Sequence, residues 1–301
     1  MMPQREEVKA LKERVLQVLR DYYSIDRVPP SVLNEAVREL RRMTELNDDV
    51  IFRYVQQMLI PELTRIYMDN VRRYRQRYGW GQVRKVIHFI IGDQLIKLGY
   101  NVHIRPLIDS TRVDLLVEYY GKYLPILIRT EKHDKVTLYK YTRLKSKGIP
   151  AYVITVTREE FMKNKTIFFT DINKLEKTID ECGVLHIKYV IDRYESALFS
   201  VWRSFTQKGY IVFRNLIEGC YMFDLLAIGY TKVGVKKITK STLQATGRTR
   251  TLLNSVARAL KEHVIDEALL VIPYEKAEDL EKEFRRSSIR KVVDRITLLP
   301  I

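Results

Sequence analysis

The amino-acid sequence predicts an α/β protein with two tandem α/β sandwich domains with mixed sheets, preceded by an α-helical N-terminal module. The first observation is an internal repeat, because residues 209–237 match residues 99–130 when the chain is shifted by 110 positions. The second is the order helix, three strands, helix, strand around each copy, which is typical of helices covering one mixed sheet. The third is the helical spacing of apolar residues at the start of the chain. The expected domains are 1–80, 81–190 and 191–301.

A Gly-Tyr pair and an Asp-Leu-Leu triplet define the repeat. Without any gap, Gly99 aligns with Gly209, and Asp114 aligns with Asp224. A three-residue deletion in the following loop then aligns Arg129 with Lys236. Two copies are too few for a solenoid, so the pattern favours two related domains in tandem.

The N-terminal module is predicted to consist of amphipathic helices. Apolar residues at helical spacing predict the first helix over residues 4–23. Ser31 is expected to cap a second helix after a Pro-Pro pair. A third, long helix is expected to begin at Asp48 or Asp49, to bend at Pro61 and to run toward position 78.

The remaining elements follow from hydrophobic pattern and from Gly and Pro positions. In the first copy the predicted helices are 82–98 and 135–147, and the predicted strands are 101–106, 113–119, 123–130 and 151–156. The segment between the copies is expected to hold strands at 167–169 and 184–190 and a helix at 172–181. In the second copy the predicted helices are 194–208, 249–263 and 275–285, and the predicted strands are 210–214, 221–228, 232–238, 268–272 and 294–299.

The chain is strongly basic. Its 53 Lys and Arg against 37 Asp and Glu give a formal charge of +16 and a pI near 9.6. Residues 1–78 contribute +3 and the remainder +13, so the repeats hold most of the positive charge. Such a balance indicates a polyanionic partner.

The composition indicates a cytoplasmic protein without a membrane segment. Cys182 and Cys220 lack metal-site spacing and fit a reducing compartment better than a disulfide scaffold. No signal peptide or membrane-spanning apolar run is recognised. The 30% content of charged residues is typical of proteins from thermophilic hosts.

The order of elements and the strand-end aspartates resemble the core of the PD-(D/E)XK nuclease superfamily, which includes restriction endonucleases and Holliday-junction resolvases. The resemblance covers residues 83–156 and 193–273, about half of the chain. It implies a restriction-endonuclease-like fold in which an Asp on the second strand and an acid-x-Lys on the third hold a divalent metal and activate water. Asp114 and Asp224 match the first carboxylate.

Both copies depart from this motif. The acid of acid-x-Lys is replaced by Leu127 in the first copy and by Gly234 in the second. Lys236 matches the motif Lys, whereas Arg129 stands at that place in the first copy. Arg129 is permanently charged and cannot act as a base, although it can hold a phosphate.

The second copy retains one set of residues that could form a remnant active site. Some family members place a Glu on the first helix, and Glu195 lies there, where the first copy has Lys85. Glu195, Asp224 and Lys236 are therefore the catalytic residues if any cleavage remains, with Asp224 and Glu195 as metal ligands. The alternative is that Glu195 is an ordinary acid favoured by the helix N-terminus and that each aspartate is paired with a nearby cation.

Basic residues persist where the catalytic ones do not, and they are expected to contact nucleic-acid phosphates. On the repeats these residues are Arg129, Lys132, Lys232, Lys237, Lys240, Arg248 and Arg250. Near the end of the third helix the run of Arg72, Arg73 and Arg75 alternates with aromatic residues, as on nucleic-acid contact surfaces. The alternative is that these cations complement the helix C-terminus while the tyrosines cover a neighbour. The five histidines are expected to be core or surface residues.

Three functions follow from these features. The favoured one is a nucleic-acid-binding protein, with DNA as the expected partner, which holds backbone phosphates and needs no cofactor. The second is an active Mg²⁺-dependent endonuclease or junction resolvase working from the second copy. The third is an interaction scaffold without a nucleic-acid role. In the first reading the helical module adds contacts or forms a homodimer.

Overall fold

The computed structural model describes residues 3–43, 46–130, 134–159, 172–286 and 288–301. It has a helical N-terminal region followed by mixed α/β structure with mixed sheets, which confirms the coarse fold predicted from the sequence. None of the described helices is both long enough and apolar enough to cross a lipid bilayer.

The helices and strands are numbered here in chain order. The α-helices are α1 (Pro3–Tyr23), α2 (Pro30–Leu40), α3 (Asp48–Tyr54), α4 (Ile60–Arg75), α5 (Trp80–Lys97), α6 (Lys135–Lys145), α7 (Ile172–Cys182), α8 (Arg193–Gln207), α9 (Lys240–Gln244), α10 (Thr246–Lys261) and α11 (Ala277–Arg286). The strands are β1 (Asn101–Ile104), β2 (Leu107–Ile108), β3 (Thr111–Arg112), β4 (Leu115–Tyr119), β5 (Lys122–Arg129), β6 (Tyr152–Thr155), β7 (Tyr189–Val190), β8 (Ile211–Glu218), β9 (Tyr221–Ile228), β10 (Lys232–Lys237), β11 (Glu267–Ile272) and β12 (Ile296–Pro300).

The N-terminal helices pack around their own apolar core, which includes the fully buried Val15, Leu40 and Leu63. Two predicted caps are wrong. Helix α2 begins at a proline, whose missing N–H needs no partner in the first turn, and Ser31 does not cap it. Helix α3 is capped by Asn47, which accepts a hydrogen bond from the Val50 amide.

The predicted long third helix is interrupted by a π-helical segment over Val55–Leu59 and ends at Arg75. The segment directly precedes Pro61, which has no N–H to donate to the preceding turn. A π segment of this kind is a local, single-turn irregularity within an α-helix. The expected irregularity therefore lies just before the proline.

Two four-strand cores share the same order and directions. In the first unit (α5 to β6) the order is β1-β4-β5-β6, with two antiparallel pairings and a final parallel one. In the second unit (α8 to β12) the order is β8-β9-β10-β11, with the same directions, and β12 extends the sheet in parallel. Helices α6 and α10 occupy equivalent places, between the third and fourth strands of these cores.

The segment between the units is less regular than predicted. Its strand β7 pairs with β2 of the first unit, and β2 pairs with β3, so these three strands form a separate small sheet. Of the predicted strand 184–190, only Tyr189–Val190 pairs as a strand, while Val184 forms an isolated bridge with Tyr123. The predicted strand 167–169 lies outside the described residues.

Helices α5 and α8 lie between the two sheets and share one core with both. Their contacts join residues that the repeat equates. The rings of Phe89 and Phe199 are 5.5 Å apart, and Arg203 Nε lies 2.7 Å from Asp93 Oδ1. Contact between a residue and its own equivalent is the pattern expected of units related by an approximate two-fold axis.

The same local kink occurs in the first strand of each unit. Arg105 and Asn215 are non-glycine residues with left-handed backbone, at φ 49° and 48°. Arg105 lies opposite Asp114, whose carbonyl accepts its amide hydrogen bond, and Asn215 lies opposite Asp224 between two regular pairs. Such conformations are uncommon outside glycine, so their recurrence marks a shared feature of both units.

The third strands align differently from the sequence prediction. Leu115 pairs with Ile126 in the first unit, and the equivalent Leu225 pairs with Val235 in the second. Because the second hairpin is shorter by one residue and not by three, Leu127 is the structural equivalent of Lys236. The predicted equivalence of Arg129 and Lys236 is therefore wrong.

Candidate functional site

Asp224 lies on β9 beside the end of β10. Its Oδ2 accepts a hydrogen bond of 2.9 Å from the Lys237 amide, and Lys236 Nζ lies 3.7 Å from the same oxygen. The side chains of Asp224 and Lys236 are 12% and 19% exposed. The structure thus brings together two of the three predicted catalytic residues, in a half-buried ion pair.

Asp114 has the same kind of surroundings, but its cationic partner comes from a helix and not from the third strand. It accepts a 2.8 Å hydrogen bond from the Ile128 amide, the equivalent of Lys237. Its other oxygen lies 3.2 Å from Lys140 Nζ, on helix α6. Since the first unit has apolar residues on the third strand where the second has Lys236 and Lys237, the helix supplies the missing cation.

Glu195 occupies a different environment from the two aspartates. It lies in the first turn of α8, is 4% exposed, and both of its oxygens accept 2.7 Å hydrogen bonds from Arg214 Nη2. Arg105 Nη1 and Lys237 Nζ lie 3.8 and 3.9 Å away. Three cations therefore surround one carboxylate. Together with His88, these residues form the Glu195 cluster.

The Glu195 cluster joins the two units, since His88 and Arg105 come from the first and the others from the second. Arg214 Nη1 lies 2.7 Å from His88 Nε2, while Glu195 lies 3.9 Å from it. The shorter contact makes His88 Nε2 an acceptor, so the imidazole is neutral.

The pKa values of the cluster follow from burial and charge. Burial lowers the pKa of His88, and the positive charges of Arg214 and Arg105 lower it further. Burial alone would raise the pKa of Glu195, but hydrogen bonding within the cluster and the nearby guanidinium groups hold it well below its usual range. Glu195 is thus an ionised counter-ion for Arg214.

Lys237 links Glu195 and Asp224, since its amide donates to Asp224 and its ammonium faces Glu195. Within the residues that the structure describes, no three His, Cys, Asp or Glu side chains are grouped so that they could hold a metal ion. The role of Asp224 and Glu195 as metal ligands stays a prediction. Glu195 lies in the first turn of a helix, as its alternative expects, and it is also paired with cations. Asp114 and Asp224 each lie near a lysine, as the alternative for the aspartates expects.

Helices α6 and α10 carry an unusual charge pattern. The sequence of each contains four basic residues and no acidic one. By contrast, α11, which has no equivalent in the first unit, contains four acids in ten residues. Six of the eight cations are exposed and form no ion pair in the part of the chain that the structure describes; they are Lys135, Lys145, Arg248, Arg250, Arg258 and Lys261.

The other predicted phosphate contacts are in varied surroundings. Arg129 Nη2 donates to Thr155, and Lys232 Nζ donates to the His263 carbonyl. Lys240 forms an exposed ion pair with Glu275. Lys132 lies outside the described residues.

The basic and aromatic run at the end of α4 combines features of both predicted readings. Arg72, Arg73 and Arg75 are exposed. Tyr74 between them is buried against the second unit and donates a 2.6 Å hydrogen bond to Glu218. The tyrosine therefore covers a neighbour, as in the alternative, while the arginines remain accessible.

The sequence prediction missed His88, Arg105, Lys140 and Arg214 as site residues. Arg105 and Arg214 each lie within one residue of a kinked position, which single-sequence patterns do not reveal. Lys140 is one of four basic residues on α6, and its sequence position does not distinguish it from the others. The only signal in the sequence that concerns these residues is the repeat offset, which aligns Arg105 with Asn215 and thus relates the two kinked positions.

No protein-family model, curated protein or solved structure matches the chain. The proposals below therefore rest on the residues and geometry of the chain itself.

Proposed function

We propose that this protein binds nucleic acid, with DNA as the expected partner, through backbone phosphates. In this proposal its two units are degenerate relatives of the restriction-endonuclease-like fold and no longer cut. The equal strand order of the units and the contacts between repeat-equivalent residues support the duplication. Two further observations bear on the proposal: the charge of α6 and α10, and the surroundings of the strand-end aspartates.

The observation that carries the proposal is the charge of α6 and α10. Helices at equivalent places in both units lack acids altogether and expose six cations that form no ion pair among the described residues. A surface helix that serves only solubility usually mixes both signs, as α11 does. Unpaired cations on two equivalent helices favour a phosphate backbone as partner, because each can replace a condensed counter-ion.

The loss of cleavage is supported by the surroundings of the strand-end aspartates. Each accepts one backbone N–H and lies near one lysine ammonium, and neither belongs to a group of three potential metal ligands among the described residues. A divalent metal needs several oxygen ligands, so one carboxylate would leave it held mainly by water. Asp114 and Asp224 fit the role of internal partners for cations.

A Mg²⁺-dependent nuclease working from the second unit is the alternative, favoured by the 3.7 Å approach of Lys236 to Asp224. A direct test combines binding and cleavage. Labelled duplex and four-way-junction DNA would be titrated by fluorescence anisotropy and incubated with Mg²⁺ or Mn²⁺. The proposal expects binding and no products. Cleavage that is lost in Asp224→Ala would overturn it in favour of the nuclease, and no binding to either DNA would favour an interaction scaffold.

A matched pair of variants assigns any binding to the proposed surface. The test variant neutralises three cations of α10, as Arg248→Gln, Arg250→Gln and Arg258→Gln. The control removes the same charge from three cations in exposed ion pairs elsewhere, as Arg38→Gln, Arg65→Gln and Lys276→Gln. A larger loss of affinity in the test variant is expected, whereas equal losses would indicate only a response to net charge.

A further inference from the structure

A cleft of about 410 Å³ lies where the two units meet. The first turns of α5, the kink after β1, the kink within β8 and the strand-end Asp114 line it. Its size is within the range of pockets that take small ligands. Its cationic lining residues come from both units and are Arg84, Lys85, Arg105 and Arg214.

The acids near the between-unit cleft are already neutralised. Asp114 is paired with Lys140, and Glu195 is held by both hydrogen bonds from Arg214. Arg105 is left 3.8 Å from Glu195, beyond hydrogen-bond distance. Among the described residues that line the cleft, basic side chains therefore outnumber acidic ones.

Lys85 and Arg105 occupy reciprocal positions around the approximate two-fold axis. Lys85 Nζ reaches the carbonyl of Asn215 at 3.4 Å, while Arg105 faces Glu195, the residue that the repeat equates with Lys85. Both contacts cross from one unit to the other at the kinked positions. Lys85 of α5 and the kinked Arg105 thus both place a cation of the first unit against the second unit, although Arg105 must adopt a left-handed backbone to do so.

We propose that the between-unit cleft binds one phosphate group, with Arg105 and Lys85 as its principal ligands and Arg214 fixed behind them by Glu195 and His88. A guanidinium and an ammonium donate strong hydrogen bonds to phosphate oxygens, and the bound anion would relieve repulsion among the clustered cations. Because residues of both units line the cleft, the bound group would also hold the units together.

This inference deepens the proposed function, since a nucleic-acid backbone is one source of the phosphate and a free phosphate or nucleotide is the other. The site can nevertheless be tested without nucleic acid. Thermal unfolding would be measured in sodium phosphate and in sodium chloride of equal ionic strength. A ligand that binds only the folded protein raises Tm.

Variants separate site binding from the general stabilising effect of phosphate salts. Arg105→Gln and Lys85→Gln are made separately, so that a folding defect in one does not end the test. Lys276→Gln is the control, because Lys276 is paired with Asp279 on an exposed surface. The expected result is a phosphate-dependent rise in Tm that falls by at least half in both cleft variants and persists in the control. Equal shifts in all four proteins, or no shift in the parent protein, would overturn the site.

Titration with labelled duplex distinguishes the two sources of phosphate. If the backbone is the source, Arg105→Gln lowers duplex affinity roughly tenfold, as for the loss of one charge-assisted hydrogen bond, and inorganic phosphate competes. If Arg105→Gln abolishes the phosphate shift but leaves duplex affinity unchanged, the site stands with a free phosphate or nucleotide as ligand. If the parent protein binds phosphate but no duplex, the proposed function fails and the site remains.

Discussion

Glu195→Gln tests whether the Glu195 cluster is a structural joint between the units. The Glu195 and Arg214 side chains are 5% and 6% exposed, and two hydrogen bonds of 2.7 Å join them. The substitution would leave a buried guanidinium without its charge partner, with two further cations nearby. Removing one partner of such a pair costs about 3–5 kcal/mol of unfolding free energy. At about 2–3 °C per kcal/mol, the expected fall in Tm is roughly 6–15 °C.

The assay is thermal unfolding followed by circular dichroism, with and without Mn²⁺. Glu275→Gln is the matched control, because its partner Lys240 is exposed and such pairs contribute little. No measurable change in Tm is expected for it. If Glu195→Gln unfolded at the same temperature as the parent protein, the cluster would not be a structural joint. A Mn²⁺-dependent rise in Tm that only Glu195→Gln loses would instead support the predicted metal ligand.

Three further perturbations have defined outcomes. Because the folded pKa of His88 lies below its ordinary 6.5, the unfolded chain takes up the proton first, so stability falls as the pH drops below 6.5. The free energy of unfolding is expected to change by at most about 1.4 kcal/mol per pH unit, as measured by urea unfolding. His88→Gln should reduce this pH dependence, and an unchanged profile would show that His88 is not the titrating group. Gly234→Ala would place a Cβ 2.6 Å from the Phe223 ring and should lower the free energy of unfolding by about 1–3 kcal/mol. Gly81→Ala, where the new Cβ meets nothing within 4 Å, should be neutral or stabilising. Equal urea midpoints for the two variants would contradict this packing. Asp224→Asn should leave duplex affinity within about twofold by anisotropy, as expected away from the phosphate-contacting cations, and a tenfold loss would assign Asp224 a direct role.

The sequence predicted the order of elements well because each has a strong local pattern. Helix α5 is apolar around most of its surface, which predicts a helix packed between layers, and it lies between the two sheets. The strands of both repeats were also recognised, with boundaries shifted by a few residues. Hydrophobic periodicity and the positions of Gly and Pro are local properties, so a single sequence is enough to find them.

The register of the third strand could not be predicted because it depends on hairpin length. A gap of three residues preserved a chemical match between Arg129 and Lys236, while the hydrogen-bonded pairs require a gap of one. A shift of register moves every following side chain relative to its neighbours. The resulting error transferred a motif position to the wrong residue.

The Glu195 cluster was missed for a different reason. Its members are separated by up to 149 positions, from His88 to Lys237, and they meet only when the units pack together. Glu195 was recognised as a special residue on α8, but its partners Arg105 and Arg214 lie at the kinks of the first strands, which have no local motif. Contacts across a two-fold interface are not encoded in the spacing of either copy.

The most direct test of nucleic-acid binding is the dependence of duplex affinity on salt. If the six exposed cations of α6 and α10 contact phosphates, a plot of log K against log salt concentration should have a slope of about −5. Neutralising Arg248, Arg250 and Arg258 should reduce the slope by about 3, while the charge-matched control leaves it nearly unchanged. A slope shallower than about −1 in the parent protein, or the same slope in all three proteins, would contradict phosphate binding by these helices.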